Sequence, residues 1–299
     1  MNTMIRRTAA VGMTTAALAL AAAVPMAAPA VAAGDTTSPS AVTAWTAPPF
    51  VSYHAISSAQ QSARFATLRA KGYRPITVSV TLDAAGRSRY SATWSTSGRA
   101  LGGDLPWAFY QDMSPSGYQT RFEQLAAQGF QPAVVSATGT GTGARFAAIF
   151  VKKPGSPFIA KHGITAAELL STSRTARAQG LILTSVDVYG TAAARRYAAV
   201  WSANPGRVNW LVKVGLSQAR HEAEFKRQVA KGYRAAAITM STTGQYTTVW
   251  RDDKAGPWYS YVNMTAPVYQ SRFDELGAKG FYPVHISTEL GRYAAIWTQ

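Results

Sequence analysis

The sequence contains no cysteine. That excludes disulfides, thiolate metal sites and cysteine nucleophiles together, so the fold must rest on its apolar core. Eight Trp and fourteen Tyr suit that task. Acidic residues are also scarce, 14 Asp+Glu against 30 Lys+Arg, for a formal charge of +16. The surplus persists when Arg6 and Arg7 are set aside. It favours anionic partners, among them wall polymers, lipid headgroups and acidic substrates, against the plainer reading of a general solubility charge. The basic residues are dispersed and no known nucleic-acid module is present, so nucleic acid is not expected as a partner.

Several catalytic signatures are missing. No lysine has a serine three residues before it, so the Ser-x-x-Lys of serine β-lactamase-type chemistry does not occur. In HEAE at 221–224, Phe225 stands where HExxH needs its second histidine. The GTGTG run at 139–143 lacks a following Gly-Lys-Ser/Thr and reads as a turn. No metal site and no other cofactor is expected. Past the first thirty or so residues, apolar runs are only strand-length, so stable membrane insertion of the mature chain is not expected.

Residues 1–33 read as a secretory signal: Arg6 and Arg7, then an Ala/Leu-rich run, then Ala30-Val31-Ala32 as a small-residue cleavage site. The paired arginines also allow twin-arginine export, and a membrane anchor is the alternative. The protein is therefore expected to be secreted. Residues 34–49, rich in Ser, Thr and Pro, read as a flexible lead-in.

What the sequence does have is a repeat. Gly72, Gly129, Gly180, Gly232 and Gly280 recur at intervals of about fifty residues. Each follows a stretch that opens on Ser57, Ser114, Thr165, Ser217 or Thr265, side chains suited to capping a helix, with the glycine suited to stopping it. Before each cap lies a strand beginning with a large aromatic: Phe50, Trp107, Phe158, Trp210 and Trp258. After each glycine come alternating apolar residues, a turn, and a strand with aromatics four apart: Tyr90/Trp94, Phe146/Phe150, Tyr197/Trp201, Tyr246/Trp250 and Tyr293/Trp297. Large, small, large at period two is one packed strand face. The third copy is the loosest, with Ser173 and Ala176 where other copies carry Phe and usually Leu.

The expectation is an α+β fold of five tandem strand-helix-strand-strand repeats of about fifty residues, forming an open half-ring or a closed propeller-like array. A single repeat domain is expected over 50–299, with units at about 50–95, 106–151, 157–202, 208–251 and 257–299.

Two sets of residues are candidates for function. On the first strand of each unit, the face opposite the aromatic carries Tyr53, Tyr110, Lys161, Lys213 and Tyr261 at one repeat position. Repeats align equivalent positions along a surface, so this row is the candidate ligand-binding face; sheet packing is the alternative. GLSQA at 215–219 resembles a degenerate nucleophile elbow, and Ser217 with His221, one helical turn on, is the candidate nucleophile and base. Helix capping accounts for Ser217 without catalysis.

The pieces KGYRPITV…RYSATW, QGFQPAVV…RFAAIF, QGLILTSV…RYAAVW, KGYRAAAI…QYTTVW and KGFYPVHI…RYAAIW resemble the bacterial tandem repeat domain, which also builds the N-terminal half of fungal polyglycine hydrolases and related serine hydrolases. The resemblance covers nearly all of the chain after the lead-in. It implies an open, half-ring accessory domain, with catalysis residing in a fused β-lactamase-like domain whose Ser-x-x-Lys has no counterpart here. Five such units also suit a pentein-like propeller, whose hydrolases use the cysteine that this sequence lacks. The reading is a secreted, non-catalytic module for an extended glycine-rich peptide or an anionic cell-wall polymer. A secreted serine hydrolase or peptidase related to the polyglycine hydrolases, with a cryptic site, is the alternative.

Overall fold

The computed structural model describes residues 47–299, and the signal and most of the lead-in expected from the sequence lie outside the described residues. Five units follow one another. The first comprises β1 (Phe50–Ser57), α1 (Ser58–Ala70), β2 (Arg74–Leu82) and β3 (Ser88–Ser95). The second comprises β4 (Trp107–Met113), α2 (Pro115–Ala126), β5 (Phe130–Thr138) and β6 (Arg145–Lys152). The third comprises β7 (Phe158–Ile164), α3 (Ala166–Ala178), β8 (Leu181–Tyr189) and β9 (Arg196–Ala203). The fourth comprises β10 (Trp210–Leu216), α4 (Gln218–Ala230), β11 (Arg234–Met240) and β12 (Tyr246–Arg251). The fifth comprises β13 (Trp258–Met264), α5 (Ala266–Ala278), β14 (Tyr282–Glu289) and β15 (Arg292–Thr298). The α+β repeat expected from the sequence is thus the fold.

Within a unit the last strand lies between the other two, as in β1-β3-β2, and pairs antiparallel with both. The helix carries the chain from the first strand to the inner one. Its start is fixed by the capping hydroxyl: Ser57, Ser114, Thr165 and Ser217 each accept a backbone N–H from the first turn, while Thr265 makes no such bond. Its end is fixed by the five glycines, all left-handed with φ between 70° and 80°. The aromatic pairs of the central strands form the core. Tyr90, Trp94, Phe146, Phe150, Tyr197, Trp201, Tyr246, Trp250 and Trp297 are almost wholly buried.

Among the described residues the five sheets stay separate, with no ladder joining one to the next. Two kinds of contact between units recur around the array. The first aromatic of a unit packs on a helix phenylalanine of the preceding unit: Trp107 on Phe65, Phe158 on Phe122, Trp258 on Phe225, with ring centroids 6.0, 6.2 and 5.7 Å apart. In the third copy Ser173 takes the phenylalanine's place. There Trp210 is held by the Arg177 guanidinium, 4.6 Å from the ring, and its indole N–H donates to the Leu181 carbonyl at 3.0 Å. The second contact joins the inner strands, each beside the next from β2 through β5, β8 and β11 to β14, and β14 lies beside β2. Of the two arrangements expected from the sequence, these contacts describe the closed array. No helix among the described residues is long and apolar enough to cross a membrane.

Candidate functional site

Tyr53, Tyr110, Lys161, Lys213 and Tyr261 stand one per unit, each opposite the small residue of the central strand (Ala92, Ala148, Ala199, Thr248, Ala295). Each meets a side chain seven residues past the helix cap of its own unit. Where the strand has Tyr, the helix supplies Arg: Arg64 over Tyr53, Arg121 over Tyr110 and Arg272 over Tyr261, at 5.2, 4.3 and 4.8 Å from the ring centroid. Where the strand has Lys, the helix supplies an oxygen. Lys161 Nζ donates to Thr172 Oγ1 at 3.3 Å, and Lys213 Nζ pairs with Glu224 Oε1 at 3.7 Å. The row therefore forms five separate strand-to-helix seams and does not converge. Tyr53 is buried, and its hydroxyl accepts the Trp94 indole N–H at 2.8 Å.

Ser217 Oγ accepts the Arg220 N–H at 3.4 Å, as a helix cap does. His221 is buried against Tyr246, and its Nδ1 lies 3.2 Å from Thr248 Oγ1. Burial holds its pKa down at about 4. No hydrogen bond joins the Ser217 hydroxyl to the His221 ring among the described residues, although a nucleophile and base need one. No group of three His, Cys, Asp or Glu is placed to hold a metal ion among the described residues.

The chemistry that does converge lies on the ring axis. Every inner strand is the edge of its sheet, so half of its backbone groups need partners beyond the sheet. Polar side chains of the next unit supply many of them. Val80 N–H donates to Ser136 Oγ at 3.0 Å, Ala137 N–H to Asp187 Oδ2 at 2.9 Å, and Val188 N–H to Thr239 Oγ1 at 3.2 Å. The pattern crosses the closure, where Thr288 N–H donates to Ser79 Oγ at 2.9 Å. One step earlier on the strands, Val135 N–H donates to Ser185 Oγ at 3.0 Å and Ile286 N–H to Thr77 Oγ1 at 3.4 Å. His285 takes the same station, with Nε2 3.0 Å from Ile238 N and 2.7 Å from Ile238 O. Burial lowers its pKa.

Asp187 is the hub. It accepts from Ser136 Oγ at 2.7 Å, from the Ala137 and Val188 N–H groups at 2.9 Å each, and from the Thr239 hydroxyl. Burial raises its pKa against the pull of those bonds. Glu289, on the same side of the array, is pushed up to about 7, first by burial and then by the charge of Asp187.

Between the inner strands runs a cavity of about 500 Å³, within the roughly 300–1,000 Å³ of ligand pockets. Asp187, Ser79 and Ser136 line one part of it, and Gln131, Lys153, Arg234 and Arg251 line another. Arg234 is paired with Asp253 at 2.5 Å. Lys153 donates to the Leu101 carbonyl at 3.2 Å, and Arg251 Nη2 to the Leu183 carbonyl at 2.7 Å. Burial lowers both pKa values, that of Arg251 to about 10. None of these axial residues was singled out from the sequence. The available signal was the hydroxyl, Asp or His recurring among buried apolar residues of the inner strands, as in Thr77, Ser79, Ser136, Ser185, Asp187 and Thr239.

One family model, described as polyglycine hydrolase-like, structural repeat, matches the chain five times, over residues 47–97, 104–153, 155–204, 207–253 and 255–299. Each match encloses one unit of three strands and a helix.

Proposed function

The chain belongs to the family of polyglycine hydrolase-like structural repeats, and we propose that it works as an exported, non-catalytic module that binds an extended, glycine-rich peptide. The observation that carries this reading is the axial cavity, whose wall mixes apolar and polar side chains and carries basic residues at one part. Ile76, Ala133, Thr184, Ala236 and Val284 line it at equivalent positions on the five inner strands, and the Ala, Thr and Ala among them leave room for a chain with little side-chain bulk. An anionic cell-wall polymer is the second reading, supported by the formal charge of +16.

Two surfaces compete for the ligand: the cavity wall, and the outer row of Tyr53, Tyr110, Lys161, Lys213 and Tyr261. The seams described above engage the row within its own units and favour the cavity. A labelled glycine-rich decapeptide titrated into the purified protein decides between them. Lys153→Glu is expected to weaken binding, and Lys161→Ala with Lys213→Ala to leave it unchanged. The reverse result moves the site to the outer row. The hydrolase alternative would use Ser217 and His221, whose geometry supports capping and packing instead.

A further inference from the structure

Three side chains on one part of the axial cavity wall are short of partners. Gln131 is only 2 % exposed, and among the described residues neither its amide nitrogen nor its amide oxygen has a hydrogen-bond partner. Arg251 spends one guanidinium nitrogen on the Leu183 carbonyl and leaves Nε without a hydrogen-bond partner among the described residues. Lys153 reaches a single carbonyl, that of Leu101. Neither cation forms an ion pair among the described residues, although both are partly buried. Burying polar groups in this condition costs free energy that a bound ligand recovers.

We propose that this part of the cavity receives the C-terminal end of a peptide chain, with the carboxylate at Arg251 and Lys153 and the N–H and C=O of the penultimate residue at Gln131. The proposal rests on the peptide-binding reading above and names the part of the peptide that is held. A free side-chain amide needs an acceptor and a donor side by side, which the N–H and C=O of one extended peptide residue offer and a lone carboxylate does not. Lys153 has no ion pair among the described residues, and the only negative charge that Arg251 feels there is that of Asp253, which is already paired with Arg234. Both therefore call for an anion, and a planar carboxylate suits a guanidinium edge. Asp187 sets the polarity. It lies four residues beyond Leu183 on β8, about 13 Å along the strand, so its charge disfavours a carboxylate at that deeper level. The oxygens of Asp187 are already taken by Ser136, Ala137, Val188 and Thr239.

The test is calorimetric titration of the full chain with tetraglycine, its C-terminal amide, its N-acetylated form, acetate and inorganic phosphate, all at one ionic strength. Tetraglycine and the acetylated form are expected to bind alike, and the amide about tenfold more weakly or worse. Gln131→Leu and Lys153→Ala are expected to weaken tetraglycine by a similar factor, while Lys152→Ala, on an exposed neighbour, leaves it unchanged. Gln131→Leu removes no existing hydrogen bond, so the fold is expected to survive it. Equal binding of the acid and the amide, or indifference to Gln131→Leu, overturns the proposal. So does acetate or phosphate binding as tightly as tetraglycine. A long glycine-rich peptide that binds regardless of amidation and of Gln131→Leu overturns this inference alone. If no peptide binds, the module reading falls with it.

Discussion

Phe50, at the start of the first strand, packs edge-to-face on Phe273 in the last helix, with ring centroids 5.9 Å apart and planes at 73°. Trp107 on Phe65 repeats that geometry between the first two units, at 6.0 Å and 78°. The junction between the fifth and first units is therefore built from the same parts as an internal junction. Thr288 N–H on Ser79 Oγ completes it at the axis.

A double-mutant cycle tests this closure. Phe50→Ala and Phe273→Ala are each expected to lower stability, with a coupling energy of about 0.5–1.5 kcal/mol in chemical denaturation, the usual worth of an aromatic pair. Zero coupling would mean that the two rings do not meet in solution.

The axial carboxylates make stability depend on pH. The folded pKa of Glu289 is raised from 4.5 to about 7, so its contribution is present below about 4.5 and is lost as pH rises through about 7. His221, held at about 4, acts in the opposite sense between that value and its ordinary 6.5, so wild type alone gives a mixed profile. Comparison with Glu289→Gln cancels the histidine. The variant is expected to match wild type near pH 4 and to exceed it near pH 8, by at most about 3 kcal/mol, since each tenfold change in proton affinity is worth ~1.4 kcal/mol. Parallel stability curves for the two proteins would contradict the assignment.

The strand-to-helix seams predict a second coupling. Glu224 is buried between Lys213, Arg227 and Gln228. Lys213→Met and Glu224→Gln are expected to be coupled by about 0.5–1 kcal/mol, since the lysine is partly exposed. Urea denaturation of the four proteins measures it, and additivity would remove the lysine from the seam.

Much of this architecture was legible in the sequence, and the reason is local. Caps such as Ser114, stops such as Gly129 and pairs such as Tyr293/Trp297 follow helical and strand periods that five copies make visible. Closure was not legible, because the rotation between units is set by contacts such as Phe50 on Phe273, more than two hundred residues apart. The axial residues stayed hidden for a related reason. Asp187 looks like an interruption of an apolar strand until Ser136 and Thr239 of the flanking units are placed beside it. The outer row drew notice instead, because Tyr110 and Lys161 recur at one position. The partners Arg121 and Thr172 that engage them become visible only once the helix is laid on the sheet.

Ala55 offers a test of the backbone. It sits in the bulge before the first helix cap with φ of 55°, a station held by Gly163 and Gly215 in the third and fourth units. Ala55→Gly is expected to stabilise the protein by about 0.5–1 kcal/mol, relief of left-handed strain outweighing the added freedom of the unfolded chain. A lower melting temperature would count against the bulge geometry.

The most direct test of the functional account follows a labelled glycine-rich peptide with the purified protein at low and at high salt, by anisotropy for binding and by mass spectrometry for cleavage in the same tube. The account predicts binding that persists in high salt, with the peptide recovered intact. Cleavage that survives repurification would contradict it and make the repeats an enzyme in their own right.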